Sequence, residues 1–143
     1  MPFESLLAQL LADLGASRVT VRLDTPGQNF PAVAEATAEG IAPISADNSL
    51  DQRGAATARW LIERRSILAQ NDCARADPPP PPELLRVYGV TAQMLAPLID
   101  GAGTLRGWIS VHETTGPRPW QPEELELLAQ AATSAVRELE ALS

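Results

Sequence analysis

The chain reads as an α+β domain: a mostly antiparallel sheet, its first and last helices packed together on one face, and a ligand pocket on the other. Three observations predict this. Apolar residues at helical spacing open the chain (Phe3, Leu6, Leu7, Leu10, Leu11, Leu14), and a second such stripe closes it (Leu125, Leu128, Ala129, Ala132, Val136, Leu139). Between them lie short β-type runs in pairs, joined by turn signals as in hairpins. The length, 143 residues with no internal repeat, is that of one ordinary domain, taken as residues 1–143.

Each element has a local reason. Pro2 suits a first helical turn and Gly15 a helical stop, so the first helix spans residues 2–14. Residues 18–23 alternate strictly, the mark of a half-buried strand; Asp24, Thr25, Pro26 and Gly27 make a turn, and residues 32–36 form the partner strand. Residues 39–52 are loop-like. A second helix covers residues 54–65, with Ala55, Ala58, Leu61 and Ile62 on its apolar side, and a short strand follows at 66–69. The connection at 72–82 ends in the prolines Pro78 to Pro82, which fix φ and remove amide donors, giving a stiff extended segment. One or two helical turns at 83–88 stop at Gly89. Strands at 90–98 and 103–112 flank a glycine-rich turn. The last helix, 122–142, places proline at its first position and Glu123 and Glu124 at its positive end.

Composition removes several function classes. The formal charge is −7, with a pI near 4.6. Every basic residue is arginine, and no basic stripe is present for neutralising phosphates, so nucleic acid is not an expected partner. No apolar run approaches the ~20 residues that cross a bilayer, and the N-terminal residues carry Glu4 and Asp13 with no basic cluster, unlike a signal peptide. The single cysteine, Cys73, cannot form an internal disulfide. The expected setting is cytoplasmic, without membrane contact. No nucleophile–base arrangement, metal-ligand spacing or phosphate-binding glycine loop appears, so a non-catalytic role is expected, with no metal.

Some residues point to binding chemistry. Trp108, Ser110 and His112 share one side of the last strand, a wall suited to orienting a planar ligand; the alternative puts His112 near solvent and Trp108 in the core. Thr91 and Gln93 share a side of the preceding strand with Leu95, and a buried amide means a network or a ligand. Met94, Ala92 and Ala96 fall on the opposite, core side. Arg59, Arg64 and Arg65, with Arg75 nearby in sequence, concentrate positive charge in an acidic chain, which suits an anionic ligand or simply a solvated helix face. Cys73 reads as a bystander thiol, and Trp120 as a staple for the last helix.

Taken in order, several segments resemble the GAF domain family, and within it the bilin-binding domains of phytochromes and cyanobacteriochromes. Arg18 to Asp24 is similar to that family's Asp-Arg-Val-x-Val-Tyr-Arg-Phe strand, and Leu105 to His112 to its Leu-Trp-Gly-Leu…His strand. Val33 to Ala36, Arg118-Pro119-Trp120 and the Arg75-Ala76 pair upstream of Pro81 match as well. The resemblance implies a GAF/PAS-like fold and a sensory module that binds a small aromatic or anionic ligand noncovalently. It also implies a homodimer through the terminal helices and a separate output protein. In bilin-binding relatives arginines in the segments of Arg59, Arg64 and Arg75 hold propionates, which makes Arg75 the preferred anion partner. The family's Cys-His pair falls on Pro80 and Pro81 and its Asp-Ile-Pro stretch has no counterpart, so no covalent bilin is expected. The free methionine-R-sulfoxide reductases share this fold, but their recycling needs a second cysteine.

Overall fold

The structure is a computed structural model that describes residues 3–45, 47 and 50–142. The elements run α1 (Glu4–Leu14), β1 (Arg18–Leu23), β2 (Ala32–Thr37), α2 (Ala56–Arg64), β3 (Leu68–Gln70), a 3-10 turn (Cys73–Arg75), α3 (Pro82–Arg86), β4 (Ala92–Ile99), β5 (Leu105–Glu113) and α4 (Pro122–Leu142). The strands form one antiparallel sheet in the order β2-β1-β5-β4-β3. Helices α1 and α4 lie on one face, and α2 and α3 with their connections cover the other. No described helix is long and apolar enough to cross a membrane.

All element boundaries fall within two residues of the expected ones, and the shifts have local causes. Helix α2 starts at Ala56 instead of residue 54, because the Asp51 carboxylate accepts the Gly54 N–H at 2.9 Å and closes a turn there. The short strand slides to Leu68–Gln70, set by its antiparallel register with Gln93–Leu95 of β4. The connection after it holds an unforeseen 3-10 turn, capped by the Asp72 side chain accepting from Ala74 N.

Alternation in the strands produces two different buried layers. Val19 and Val21 of β1, Ala92, Met94, Ala96 and Leu98 of β4, and Ile109 and Val111 of β5 face the terminal helices. There they meet Leu7, Leu10 and Leu14 of α1 and Leu128, Ala131, Ala135 and Leu139 of α4. This apolar layer is where the hydrophobic effect contributes most of its stabilisation. Trp120 anchors the start of α4, its indole N–H donating to the Gln70 carbonyl at 3.1 Å and its backbone N–H to Asn71 Oδ1 at 3.2 Å. At the entry to β5, Gly107 is required by space: a Cβ there would lie 1.9 Å from the Arg22 carbonyl oxygen.

Candidate functional site

The opposite parity of the same strands is polar and almost as deeply buried. Arg18, Thr20 and Arg22 of β1, Ser110 and His112 of β5, Gln93 of β4 and Gln70 of β3 are each at most 5 % exposed. Register brings them into rows, with Arg18 beside His112, Thr20 beside Ser110 and Arg22 beside Trp108. Gln93 lies beside His112 from the other side. Desolvating so many polar groups is unfavourable unless each finds a partner.

Arg18 sets the state of the histidine. Its Nε and Nη2 donate to the Ala42 carbonyl at 3.1 and 2.8 Å, its guanidinium lies 5.5 Å from the Tyr88 ring centre, and its Nη1 lies 2.8 Å from His112 Nδ1. A guanidinium only donates, so Nδ1 is the acceptor and the proton of the neutral ring resides on Nε2. Burial, reinforced by the positive charges of Arg18 and Arg22, lowers the His112 pKa to about 3. His112 is therefore a neutral Nε2–H donor at physiological pH. Tyr88 in turn donates to Asp47, and Thr20 donates to Glu35 at 3.1 Å.

A second chain of bonds fixes Gln93. Gln70 Nε2 donates to the Pro78 carbonyl at 2.6 Å, which presents Gln70 Oε1 to Gln93 Nε2 at 2.8 Å. That order leaves Gln93 Oε1 buried and without a hydrogen-bond partner among the described residues. Gln93, Ser110, His112, Arg22 and Trp108 line one chamber, closed on the far side by Gln52, Thr57 and Leu84. Its ceiling is stiffened by a stack in which Arg53 covers the Phe30 ring at 4.7 Å and Phe30 packs on Trp108 at 4.7 Å. Arg22 donates to the Phe30 carbonyl at 2.9 Å. The chamber encloses only about 10 Å³, room for roughly one water.

Of the residues marked out by sequence, Gln93, Trp108, Ser110 and His112 come together here. The others do not. Arg75 extends into solvent, its side chain 89 % exposed and 4.0 Å from Asp72. Arg64 is exposed over the Trp60 ring, and Arg59 borders an outer cleft of about 330 Å³ beside residues 79–82. Thr91 bridges the Glu113 and Gly116 carbonyls at 2.9 and 2.7 Å, holding the turn after β5. Arg18, Arg22, Gln70, Gln52 and Thr57 were missed. The signal for the first two was the polar parity of β1, which reads as solvent-facing until β1 is paired with β5. Cys73 is 2 % exposed, and burial pushes its thiol to about 12, so it carries no reactive thiolate.

Among the described residues no group of histidines, cysteines and carboxylates is placed to hold a metal ion. No curated protein matches the chain. Solved structures do. The cyanobacteriochrome receptor PixJ is 27 % identical over 99 % of this chain and 94 % of its own, with a TM-score of 0.80. The blue-light absorbing form of the Thermosynechococcus elongatus PixJ GAF domain is 27 % identical over 98 % of this chain and 85 % of its own, at 0.75. A far-red absorbing protein with bound biliverdin IXa shares the fold at 16 % identity and a TM-score of 0.75, covering 97 % of this chain and 88 % of its own. The GAF domain family model matches residues 3–139, and the chain belongs to that family.

Proposed function

We propose that this domain is a non-catalytic sensory module that binds a small planar ligand noncovalently in the chamber under Trp108 and signals to a separate partner protein. The observation that carries the reading is the neighbouring pair Gln93 and His112. One offers an unused acceptor, Oε1, and the other a neutral donor, Nε2–H. A ligand whose edge carries an N–H or O–H beside a carbonyl satisfies both, and an anionic substituent reaches the Arg22 guanidinium. Trp108 supplies the stacking surface. Because the chamber is nearly closed, the ligand enters as the cover around Gln52, Thr57 and Leu84 moves outward while the sheet wall stays in place.

The route outward starts at His112. Its carbonyl accepts Ser17 N at 2.9 Å, and the adjacent Glu113 accepts from Ser17 Oγ at 3.0 Å and Arg118 Nη1 at 2.8 Å. Arg118 also donates to the Leu14 carbonyl at the end of α1 at 2.6 Å and to Glu124 in the first turn of α4. Strand β5 is thus bonded to both terminal helices, which in this reading pair across a homodimer.

A noncovalent tetrapyrrole is the second reading, favoured by the cyanobacteriochrome structures that this chain matches at 27 % identity. Covalent attachment is not part of it, given the burial of Cys73. Native mass spectrometry of the full chain, purified gently from its own host, tests both. An adduct of defined mass, lost on denaturation and absent from Gln93→Leu and His112→Phe, is the expected result. Intense visible absorbance travelling with that adduct selects the tetrapyrrole. An adduct retained by both variants, or a bare chain mass in the wild type, defeats the proposal.

A further inference from the structure

A concavity larger than the chamber lies on the other side of the sheet. A groove of about 500 Å³ runs between α4, the β4–β5 hairpin and the segment after α2. Its floor and walls are apolar, formed by Ile67, Ala96, Ile99, Ala132 and Val136, and its volume is that of a typical small-molecule site. Four charged residues rim it, and their bonding is unequal. The carboxylates are already satisfied: Asp100 accepts from Ala102 N and Thr104 N, each at 3.0 Å, and Glu140 accepts from Gly101 N at 3.0 Å. The two guanidiniums are not. Arg65 donates only to the Gly103 carbonyl, and exposed Arg137 makes no hydrogen bond or ion pair among the described residues.

Neither guanidinium forms an ion pair among the described residues, although Asp100 and Glu140 stand on the same rim and carboxylates outnumber cations in the chain. We propose that this groove is a second ligand site, taking an amphipathic monoanion: an alkyl or aryl carboxylate whose apolar body covers Ile67, Ile99 and Val136 and whose carboxylate is held by Arg65 and Arg137. A guanidinium fork matches a carboxylate in geometry as well as charge, so a neutral molecule of the same shape is a poorer ligand. The site stands independently of the chamber, since the sheet separates them.

The test is a titration of the ¹⁵N-labelled full chain with octanoate, with octanol as the uncharged control. Saturable shifts are expected at the amides of Gly101, Gly103, Ala132 and Thr133, and octanol should bind at least about tenfold more weakly. Arg137→Glu, at an exposed position without bonds to lose, should weaken octanoate by about tenfold or more, and Arg65→Gln should act in the same direction. Retained spectra confirm that both variants are folded. Non-saturating shifts, equal binding of octanol, shifts confined to the residues around Trp108 and His112, or an unaltered affinity in Arg137→Glu would each overturn the proposal.

Discussion

Val19, Val21, Ile109 and Val111 leave β1 and β5 on one side of the sheet; Arg18, Thr20, Arg22, Ser110 and His112 leave the same strands on the other. Both sets are excluded from water. Burial therefore does not distinguish them, and chemistry does. The apolar set is satisfied by contact alone, since dispersion and the hydrophobic effect ask only for close packing. The polar set is satisfied only through specific bonds, from Arg18 to Ala42 and His112 and from Gln93 to Gln70, and one of its acceptors has no partner among the described residues. In the proposed reading, a face that accepts this desolvation without the stability of an apolar core is the one whose residues are set for recognition.

The two faces should differ most in stability. Ile109→Ala should cost about 2–5 kcal/mol in urea unfolding, whereas its neighbour Ser110→Ala, equally buried but facing the chamber, should lie within about 0.5 kcal/mol of wild type. Similar losses for both would erase the distinction. Within the polar face, Arg18→Met strips the Ala42 carbonyl of its donors and should cost about 2–3 kcal/mol. It should also raise the His112 pKa from its depressed value, because one of the positive charges that lower it is gone.

Acid sharpens the same contrast. His112 has a folded pKa of about 3 against 6.5 in the unfolded chain, so the unfolded state binds more protons between those values. Its contribution is complete above pH 6.5 and is lost as pH falls toward 3. Stability should decline with a slope approaching about 1.4 kcal/mol per pH unit. Glu113, whose carboxyl is held below its usual 4.5 despite burial by bonds from Arg118, Thr115, Ser17 and Thr114, adds its loss only below that value. The decline between 6.5 and 4.5 is thus assigned to His112 and should be shallower in His112→Gln. The smallest effect belongs to Arg75→Ala, which should change neither stability nor ligand binding by more than about 0.5 kcal/mol, since the side chain is solvated and distant from both layers.

The sequence disclosed the apolar face far more fully than the polar one. Helical stripes such as Leu7, Leu10, Leu14 and Leu128, Leu139 announce α1 and α4 because their periodicity is local. The alternation in Arg18 to Leu23 announces a strand for the same reason. What alternation withholds is the far side. Arg18 and Arg22 read as solvated until the β1–β5 register sets Arg18 beside His112, a pairing across more than half the chain. Gln93, Trp108, Ser110 and His112 were legible because the family resemblance and strand parity pointed to the same wall. Arg75 was drawn in by its place in the motif order. Its position on a 3-10 turn, which directs it outward, depends on the Asp72 cap and on the pairing of Cys73 N with the Thr91 carbonyl.

In the proposed reading the polar face is assembled in advance as a neutral recognition edge, with His112 held as an Nε2–H donor by Arg18. His112 is the only histidine in the chain, so ¹⁵N labelling of histidine reports this one ring without assignment. The expected result is a single neutral tautomer protonated on Nε2, unchanged from roughly pH 8 to roughly pH 5. A ring that titrates with a midpoint near its ordinary 6.5, or one protonated on Nδ1, would contradict it.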